Sequence, residues 1–201
     1  MSTEKQFLLN PKQQQALLAF ARWAISYMLR APGISAKADF LLDEPVFQEK
    51  RAAFVTLTKQ RALRGCIGSL VAVESLAESV RRNAVNAALH DPRFPPLTLQ
   101  ELEGVHIEIS VLSPPQPLPY SDAKHLLQQL EPGLDGLILE GPGGSRATFL
   151  PQVWKQLPAA PDFLGALCRK AGLAADAWKK DGISYQRYRV QSFEEEGCGP
   201  Q

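Results

Sequence analysis

The spacing of the apolar residues changes along the chain, and this change of period most constrains the fold. Residues 11–30 carry apolar side chains at the three-to-four-residue spacing of a helix, after an Asn10-Pro11 start. Residues 105–111 instead alternate apolar and polar side chains, as a strand with one buried face does. The two periods do not succeed each other as regular strand-helix-strand units, so the sequence predicts the α+β class.

Turn and cap signals divide the rest of the chain. β-Branched and aromatic residues at 52–58 and 64–71 predict a hairpin. Ser75 and Glu78 form a capping box for a helix that ends before Asp91-Pro92. Further predictions are a capped turn from Thr98 to Gly104, a helix capped by Ser121, a hairpin of 137–140 with 146–150, a helix at 162–171, a strand at 185–193 and a mobile polar tail from 194.

Composition excludes several classes of protein. The 201 residues suffice for one domain or two joined lobes, and a formal net charge of +1 provides no field to hold a polyanion. The basic residues are scattered, so no nucleic-acid partner is expected. No apolar run is long enough to span a membrane, and no membrane partner is expected. Three separated cysteines favour neither a disulfide framework nor a thiolate zinc site, which indicates a reducing, cytoplasmic location.

The segment Arg64-Gly65-Cys66-Ile67-Gly68 is the strongest candidate for a functional site. On a strand, Arg64, Cys66 and Gly68 share one face, and the glycines leave room around the thiol for a ligand or another backbone. Arg64 would favour the nucleophilic thiolate, or would bind a carboxylate or phosphate. The alternative is structural, because a lone cysteine on a strand is usually a small buried hydrophobic residue.

A polar cluster follows the helix that begins near Ser75. Asp91 and Arg93 can end that helix by binding its last turn, which is the simpler interpretation. If the segment folds back toward Cys66, His90 becomes an available general base.

His106, Glu108 and Ser110 line one face of the strand at 105–111. Such a row is usually solvated. A histidine and a carboxylate could reach one ligand together, but a metal site needs a third group that the sequence does not place, so no metal is predicted.

Several segments in order resemble the AMMECR family, named for an Alport-syndrome chromosomal-region protein. The signature-like segment is Leu63-Arg64-Gly65-Cys66-Ile67-Gly68. Similar matches are Phe54–Leu57, Asn86–Ala88 with Asp91–Phe94, Glu108–Leu112 before a run of prolines, Leu150–Trp154, Phe163–Leu164 and Lys170–Leu173. The resemblance implies one domain of this type over residues 10–195, with a mobile tail at 196–201.

The resemblance also implies an α+β fold of two lobes, with a mainly antiparallel sheet, flanking helices and a cleft between the lobes. The larger lobe would use both chain ends, and the smaller would be inserted. Microbial members are similar to the first component of a three-part system with a Memo-like protein and a radical SAM protein, which are therefore the implied partners. The resemblance identifies no reaction and no cofactor, and it leaves open whether the chain is an enzyme.

Two functions follow as hypotheses. In the first, a cleft near the Arg64–Gly68 segment binds or transforms a small anionic molecule. In the alternative, the chain is an interaction module that docks a Memo-like or radical SAM partner without catalysis, and Cys66 is part of the core. For the first, the candidate catalytic residues are Cys66 and Glu108, and the candidate substrate-binding residues are Arg64, Gly65, Gly68, Asp91 and Arg93.

Overall fold

The computed structural model of the protein describes residues 8–35 and 42–196. Its helices are α1 (Pro11–Met28), α2 (Pro45–Gln48), α3 (Leu76–Leu89), α4 (Leu99–Leu102), α5 (Ala123–Gln129) and α6 (Ala160–Lys170). Its strands are β1 (Ala53–Lys59), β2 (Ala62–Gly68), β3 (Val105–Leu112), β4 (Gln116–Pro117), β5 (Gly136–Glu140), β6 (Arg146–Phe149), β7 (Ser184–Tyr188) and β8 (Val190–Glu194). This mixture confirms the α+β class.

The chain divides into two compact units. Unit 1 runs to Leu112 and resumes at Gln191, and unit 2 spans Ser113–Val190. Unit 1 contains a four-stranded sheet in the order β2-β1-β3-β8, and unit 2 contains another in the order β4-β7-β5-β6. The pairs β1–β2, β1–β3, β4–β7, β5–β6 and β5–β7 are antiparallel. Within residues 8–35 and 42–196, no helix combines the length and the apolar character needed to cross a membrane.

The alternating pattern of β1 and β3 decides which face of the unit 1 sheet is buried. Val55, Leu57, Ile107 and Ile109 are fully buried in one core with apolar residues of α1 and α3. Each such side chain contributes about 1.5–3 kcal/mol by leaving water. The intervening side chains of both strands therefore point to the opposite, polar face of the sheet.

Local caps fix where the helices of unit 1 begin. The Asn10 side chain accepts a hydrogen bond from the Gln13 N–H at 3.0 Å, and the Gln13 side chain accepts one from the Asn10 N–H at 2.9 Å. Ser75 caps α3 through the Glu78 N–H. The predicted reciprocal half of that box is absent, because the Glu78 carboxylate binds Arg81 one turn later instead.

The predicted hairpin of β1 and β2 forms, and residues 60–61 join the two strands in a tight turn. Gln60 and Arg61 occupy its centre with positive φ angles of 51° and 66°. This turn brings Thr56 opposite Cys66, and on the other side of β1 Thr56 is opposite Glu108. The three residues therefore form one row across the polar face of the sheet.

Unit 2 packs its own core around α6. Leu137, Leu139 and Phe163 are fully buried there, and the Trp154 ring stacks on the Phe163 ring with centroids 3.8 Å apart. The predicted hairpin over this region is confirmed as β5 and β6, joined by residues 141–145.

Three predicted features near the chain end and in unit 2 are wrong in detail. The strand expected at 185–193 is interrupted at Arg189, and its halves join different sheets as β7 and β8. The helix α5 is capped by Asp122, whose carboxylate accepts from the His125 N–H at 2.8 Å, rather than by Ser121. Glu195 is not part of a free tail, because its carboxylate pairs with Arg22. Residues 197–201 lie outside the described residues.

Candidate functional site

Cys66 occupies the edge strand of the unit 1 sheet and is partly exposed with a free thiol. The Thr56 hydroxyl donates a hydrogen bond to the sulfur at 3.3 Å. This contact arises because the hairpin register places the two residues directly opposite each other on the same face. The thiol therefore lies on the same face of the sheet as Thr56, and Cys66 is not one of the residues of the buried core.

Asp91 and Arg93 fold back onto the backbone of Cys66. The Asp91 carboxylate accepts from the Cys66 N–H at 2.8 Å, and the Arg93 Nη2 donates to the Cys66 carbonyl at 3.1 Å. The two side chains also bind each other, from Arg93 Nε at 2.9 Å and from Nη2 at 2.7 Å. The loop after α3 thus brings together three residues that the sequence named separately.

The Asp91–Arg93 ion pair shifts the pKa values of both side chains. The hydrogen bonds from the Arg93 side chain, followed by those from the N–H groups of Cys66 and Arg93, hold the pKa of Asp91 far below its ordinary value despite its burial. The pKa of Arg93 is raised, chiefly by Asp91 and also by the adjacent Cys66 side chain. Both groups are therefore charged at neutral pH.

Arg93 still presents part of its guanidinium outward. Its side chain is 52% exposed, whereas that of Asp91 is 2% exposed. Nε and Nη2 are used by Asp91 and Cys66, and Nη1 has no hydrogen bond to the residues that the structure describes. The same side chain binds the Cys66 carbonyl, and the Cys66 side chain contributes to its raised pKa, so the Arg93 cation lies close to the thiol.

Arg64 has a different environment from the one that the sequence predicts. Its guanidinium binds both oxygens of Glu101 at 3.2 Å, and the side chain is only 11% exposed. It also lies over the Phe94 ring, 5.9 Å from the centroid, while Arg93 approaches the same ring at 5.6 Å. Arg64 therefore joins β2 to α4 through its ion pair with Glu101.

Glu101 is a site residue that the sequence assigns only a capping role. The predicted box is confirmed, with the Thr98 hydroxyl accepting from the Glu101 N–H and the Glu101 carboxylate accepting from the Thr98 N–H. Hydrogen bonds from Arg64, and then from Thr98, lower the pKa of Glu101 to about 2. A capping carboxylate has two oxygens and can accept further hydrogen bonds. This is the one sequence signal for a second partner of Glu101, which the structure shows to be Arg64.

The two glycines of the segment are explained by the protein's own packing. A Cβ at Gly65 would lie 2.1 Å from the Ala87 carbonyl oxygen of α3, and one at Gly68 would lie 2.2 Å from the Phe54 ring. Of the two alternatives that the sequence leaves open, the structure shows close approach of another backbone at Gly65, and at Gly68 it shows a side chain, so these atoms fill the space that each glycine leaves.

Glu108 lies two strands away from Cys66, beyond Thr56, in the same row of the polar face. Adjacent strands are about 4.8 Å apart, so a bound molecule near Thr56 could contact both the carboxylate and the thiol. Ser110 donates to Glu108 at 3.4 Å and contacts the Ser192 hydroxyl at 2.8 Å. Hydrogen bonds therefore join Thr56 to Cys66 at one end of the row and Ser110 to Glu108 at the other.

Neither predicted histidine joins Cys66. The His90 ring contacts the Asn86 side chain at 3.1 Å, and the His106 ring contacts Glu194 at 3.1 Å. Among the described parts of the chain, no three His, Cys, Asp or Glu side chains are grouped so that they could hold a metal ion.

Comparisons with known proteins match most of the chain. A family model described as AMMECR1 matches residues 18–193. A curated protein from Methanocaldococcus jannaschii is 40% identical over 157 residues, covering 75% of this chain and 76% of its own. One from Methanothermobacter thermautotrophicus is 38% identical over 190 residues, covering 94% and 97%. The crystal structure of an uncharacterized protein from Pyrococcus horikoshii has 33% identity and a TM-score of 0.73, covering 94% of each chain.

Proposed function

The chain belongs to the AMMECR1 family, and we propose that it binds a small anionic molecule on Arg93, beside the thiol of Cys66. The single observation that carries this proposal is the geometry of Arg93. Its Nε and Nη2 atoms are fixed by Asp91 and by the Cys66 carbonyl, while the side chain remains 52% exposed. An arginine held in this way is pre-organised and loses little conformational entropy when it binds an anion.

The ligand class follows from the chemistry of the guanidinium. Carboxylates and phosphates match its planar donors, whereas a neutral ligand would not use its charge. Arg64 is the less suitable partner, because its donors already bind Glu101 and its side chain is 11% exposed.

Cys66 is the candidate nucleophile of this site. Its sulfur accepts from Thr56 at 3.3 Å and lies next to the Arg93 cation. Glu108, in the same row, is the candidate general base or the group that orients the ligand. Whether the bound molecule is transformed or only held depends on these two groups, and no reaction is assigned to them.

Alkylation of Cys66 in the intact chain tests the anion site directly. Iodoacetate and iodoacetamide form the same thioether bond, but only iodoacetate carries a carboxylate. We expect the iodoacetate-to-iodoacetamide rate ratio at Cys66, measured by peptide mass spectrometry, to fall about fivefold to tenfold in Arg93→Gln.

Arg81→Gln is the matched control for that experiment. It removes the same charge from an arginine of α3 that pairs with Glu78 on the surface, and it should leave the ratio within about twofold of that of the wild type. An unchanged ratio in Arg93→Gln would contradict the proposed function, as would an equal fall in both variants.

A second candidate function is docking of a partner protein, and it rests on a different observation. The residues directly after β2 include Val71 and Val73, which are 58% and 60% exposed. An exposed apolar segment beside a rigid strand suits a protein interface. The family resemblance suggests a Memo-like or radical SAM protein as the partner.

Binding of those two purified proteins separates the candidates. If docking is the function, Val71→Ser combined with Val73→Ser should weaken capture of a partner at least about tenfold, while Arg93→Gln retains it. If neither protein binds the wild-type chain at micromolar concentration, this second candidate is wrong.

A further inference from the structure

The backbone N–H and C=O groups on the outer edge of β2 need hydrogen-bond partners from outside the sheet. β2 is the terminal strand in the order β2-β1-β3-β8, so no strand from residues 8–35 and 42–196 lies along its outer side. In an antiparallel pair, alternate residues turn both backbone polar groups away from the partner strand. Cys66 is such a residue, because its N–H and C=O bind groups outside the sheet.

Asp91 and Arg93 supply the two partners that a neighbouring strand would offer. A carboxylate oxygen takes the place of a strand carbonyl, 2.8 Å from the Cys66 nitrogen, and a guanidinium nitrogen takes the place of a strand amide, 3.1 Å from the Cys66 oxygen. The two side chains are joined to each other at 2.7 and 2.9 Å, so acceptor and donor are held as one unit.

The bonds of Asp91 indicate that its carboxylate serves the protein rather than a ligand. Oδ1 accepts from the Arg93 N–H and Nε, and Oδ2 accepts from the Cys66 N–H and Arg93 Nη2. With its side chain 2% exposed, the carboxylate is enclosed by these donors. This differs from the substrate-binding role that the sequence predicts for Asp91.

We infer that the Asp91–Arg93 pair replaces an additional strand at the edge of β2, and that Asp91 is the positioning residue that fixes the backbone of Cys66. The pair closes an edge position that would otherwise be open to pairing with another extended chain. The inference concerns hydrogen bonds within the protein alone, so its test does not depend on whether Arg93 binds an anion.

Amide hydrogen exchange in the full-length chain tests it at single-residue resolution. In the wild type, we expect the Cys66 amide to exchange at least about tenfold more slowly than in an unfolded chain, since its N–H is bonded to Asp91. Asp91→Ala should accelerate the Cys66 amide at least about tenfold more than the amide of Ile67, whose register partner is Val55 of β1.

Two further variants sharpen the result. Asp91→Asn keeps an acceptor for the Cys66 N–H and should restore most of the protection that Asp91→Ala loses. Glu78→Gln breaks an exposed Arg–carboxylate pair in α3 and should leave the Cys66 amide unchanged.

An unprotected Cys66 amide in the wild type would overturn the inference, and this measurement requires no variant to fold. Equal acceleration of Cys66 and Ile67 in Asp91→Ala would also overturn it, because a general loss of structure produces that pattern. Selective acceleration, with recovery in Asp91→Asn, is the supporting result.

Discussion

Asp91 in unit 1 and Asp135 in unit 2 are both buried carboxylates, yet their surroundings shift their pKa values in opposite directions. Asp91 accepts hydrogen bonds to both oxygens, and its pKa is lowered, chiefly by Arg93. Asp135 is fully buried, and desolvation raises its pKa although Arg187 and Arg189 lie 3.7 Å away. In unit 1, hydrogen bonds from the Arg93 side chain and from two N–H groups outweigh desolvation. In unit 2, one hydrogen bond from the Glu131 N–H and two arginines at 3.7 Å do not.

The cysteines of the two units show the same contrast. Cys66 is partly exposed beside Thr56 and Arg93, whereas Cys168 is fully buried in the core of unit 2. Burial raises the pKa of the Cys168 thiol, which keeps it neutral and unreactive. Of these two cysteines, Cys66 is therefore the one that a charged ligand can reach.

The largest expected effect comes from the glycines that lie against each unit's core. Gly65→Ala would place a methyl group 2.1 Å from a backbone oxygen of α3, whereas Gly136→Ala would place one 2.4 Å from the Tyr188 ring. A helix backbone yields less easily than a side chain, so we expect a loss of about 3–4 kcal/mol in unit 1 and about 2 kcal/mol in unit 2. Urea unfolding, followed by hydrogen exchange in each unit, measures both.

Gly104→Ala is the control for this pair, because its new Cβ would lie 3.7 Å from the nearest atom, an ordinary contact. Its effect should stay within about 0.5 kcal/mol. A Gly65→Ala variant as stable as Gly104→Ala would show that α3 does not lie against β2 as described.

Matched amide substitutions of the two aspartates give the next largest effect. Asp91→Asn removes the charge that Arg93 requires, and we expect a loss of about 2–3 kcal/mol. Asp135→Asn keeps an acceptor for the Glu131 N–H, which donates to Asp135 at 2.8 Å, and removes a buried charge. It should change stability by less than about 1 kcal/mol. Equal losses in the same urea experiment would contradict the contrast between the two sites.

As pH falls, unit 1 should lose more stability than unit 2, and the effect should be smaller than that of the substitutions above. Asp91 and Glu101 have lowered pKa values in the folded state. Their contribution to folding stability is therefore complete above the unfolded-state pKa values near 4, and it is lost as pH falls toward the folded-state values, about 2 for Glu101. The raised pKa of Asp135 has the opposite sign, because its contribution is complete below its unfolded value of 3.8 and is lost as pH rises through the folded value.

Between pH 5 and 2.5 we therefore expect unit 1 to lose on the order of 1–2 kcal/mol more than unit 2. Hydrogen exchange in each unit, measured across that pH range, tests the order. Earlier loss of protection in unit 2 would show that the opposite pKa shifts of these carboxylates do not control acid stability.

The parts of the fold that sequence predicts well are those fixed by neighbouring residues. Asn10 and Pro11 begin α1 as expected, and the hairpin of β1 and β2 forms where two β-rich segments flank a short polar turn. The resemblance of the chain to the AMMECR family is also confirmed, by the match over residues 18–193. The residues of a cap or a hairpin turn lie a few positions apart in the sequence, so the local sequence is enough to predict them.

The interruption at Arg189 could not be predicted in this way. Residues on either side of it have the same strand-like character, but β7 pairs with β5 in unit 2 and β8 joins β3 in unit 1. Which sheet an extended segment joins depends on the partner edge that is available, and the segment does not encode that edge.

The sequence by itself determined the α+β class, the main helices and hairpins, and most of the polar residues of the candidate site, although it assigned no site role to Thr56 or Glu101. Only the tertiary structure decided their partners. Arg64 binds Glu101, 37 positions later in the chain, and Asp91 binds the backbone of Cys66, 25 positions earlier. Propensity and periodicity describe forces between near neighbours, whereas the partner of a charged group is chosen by packing between distant segments.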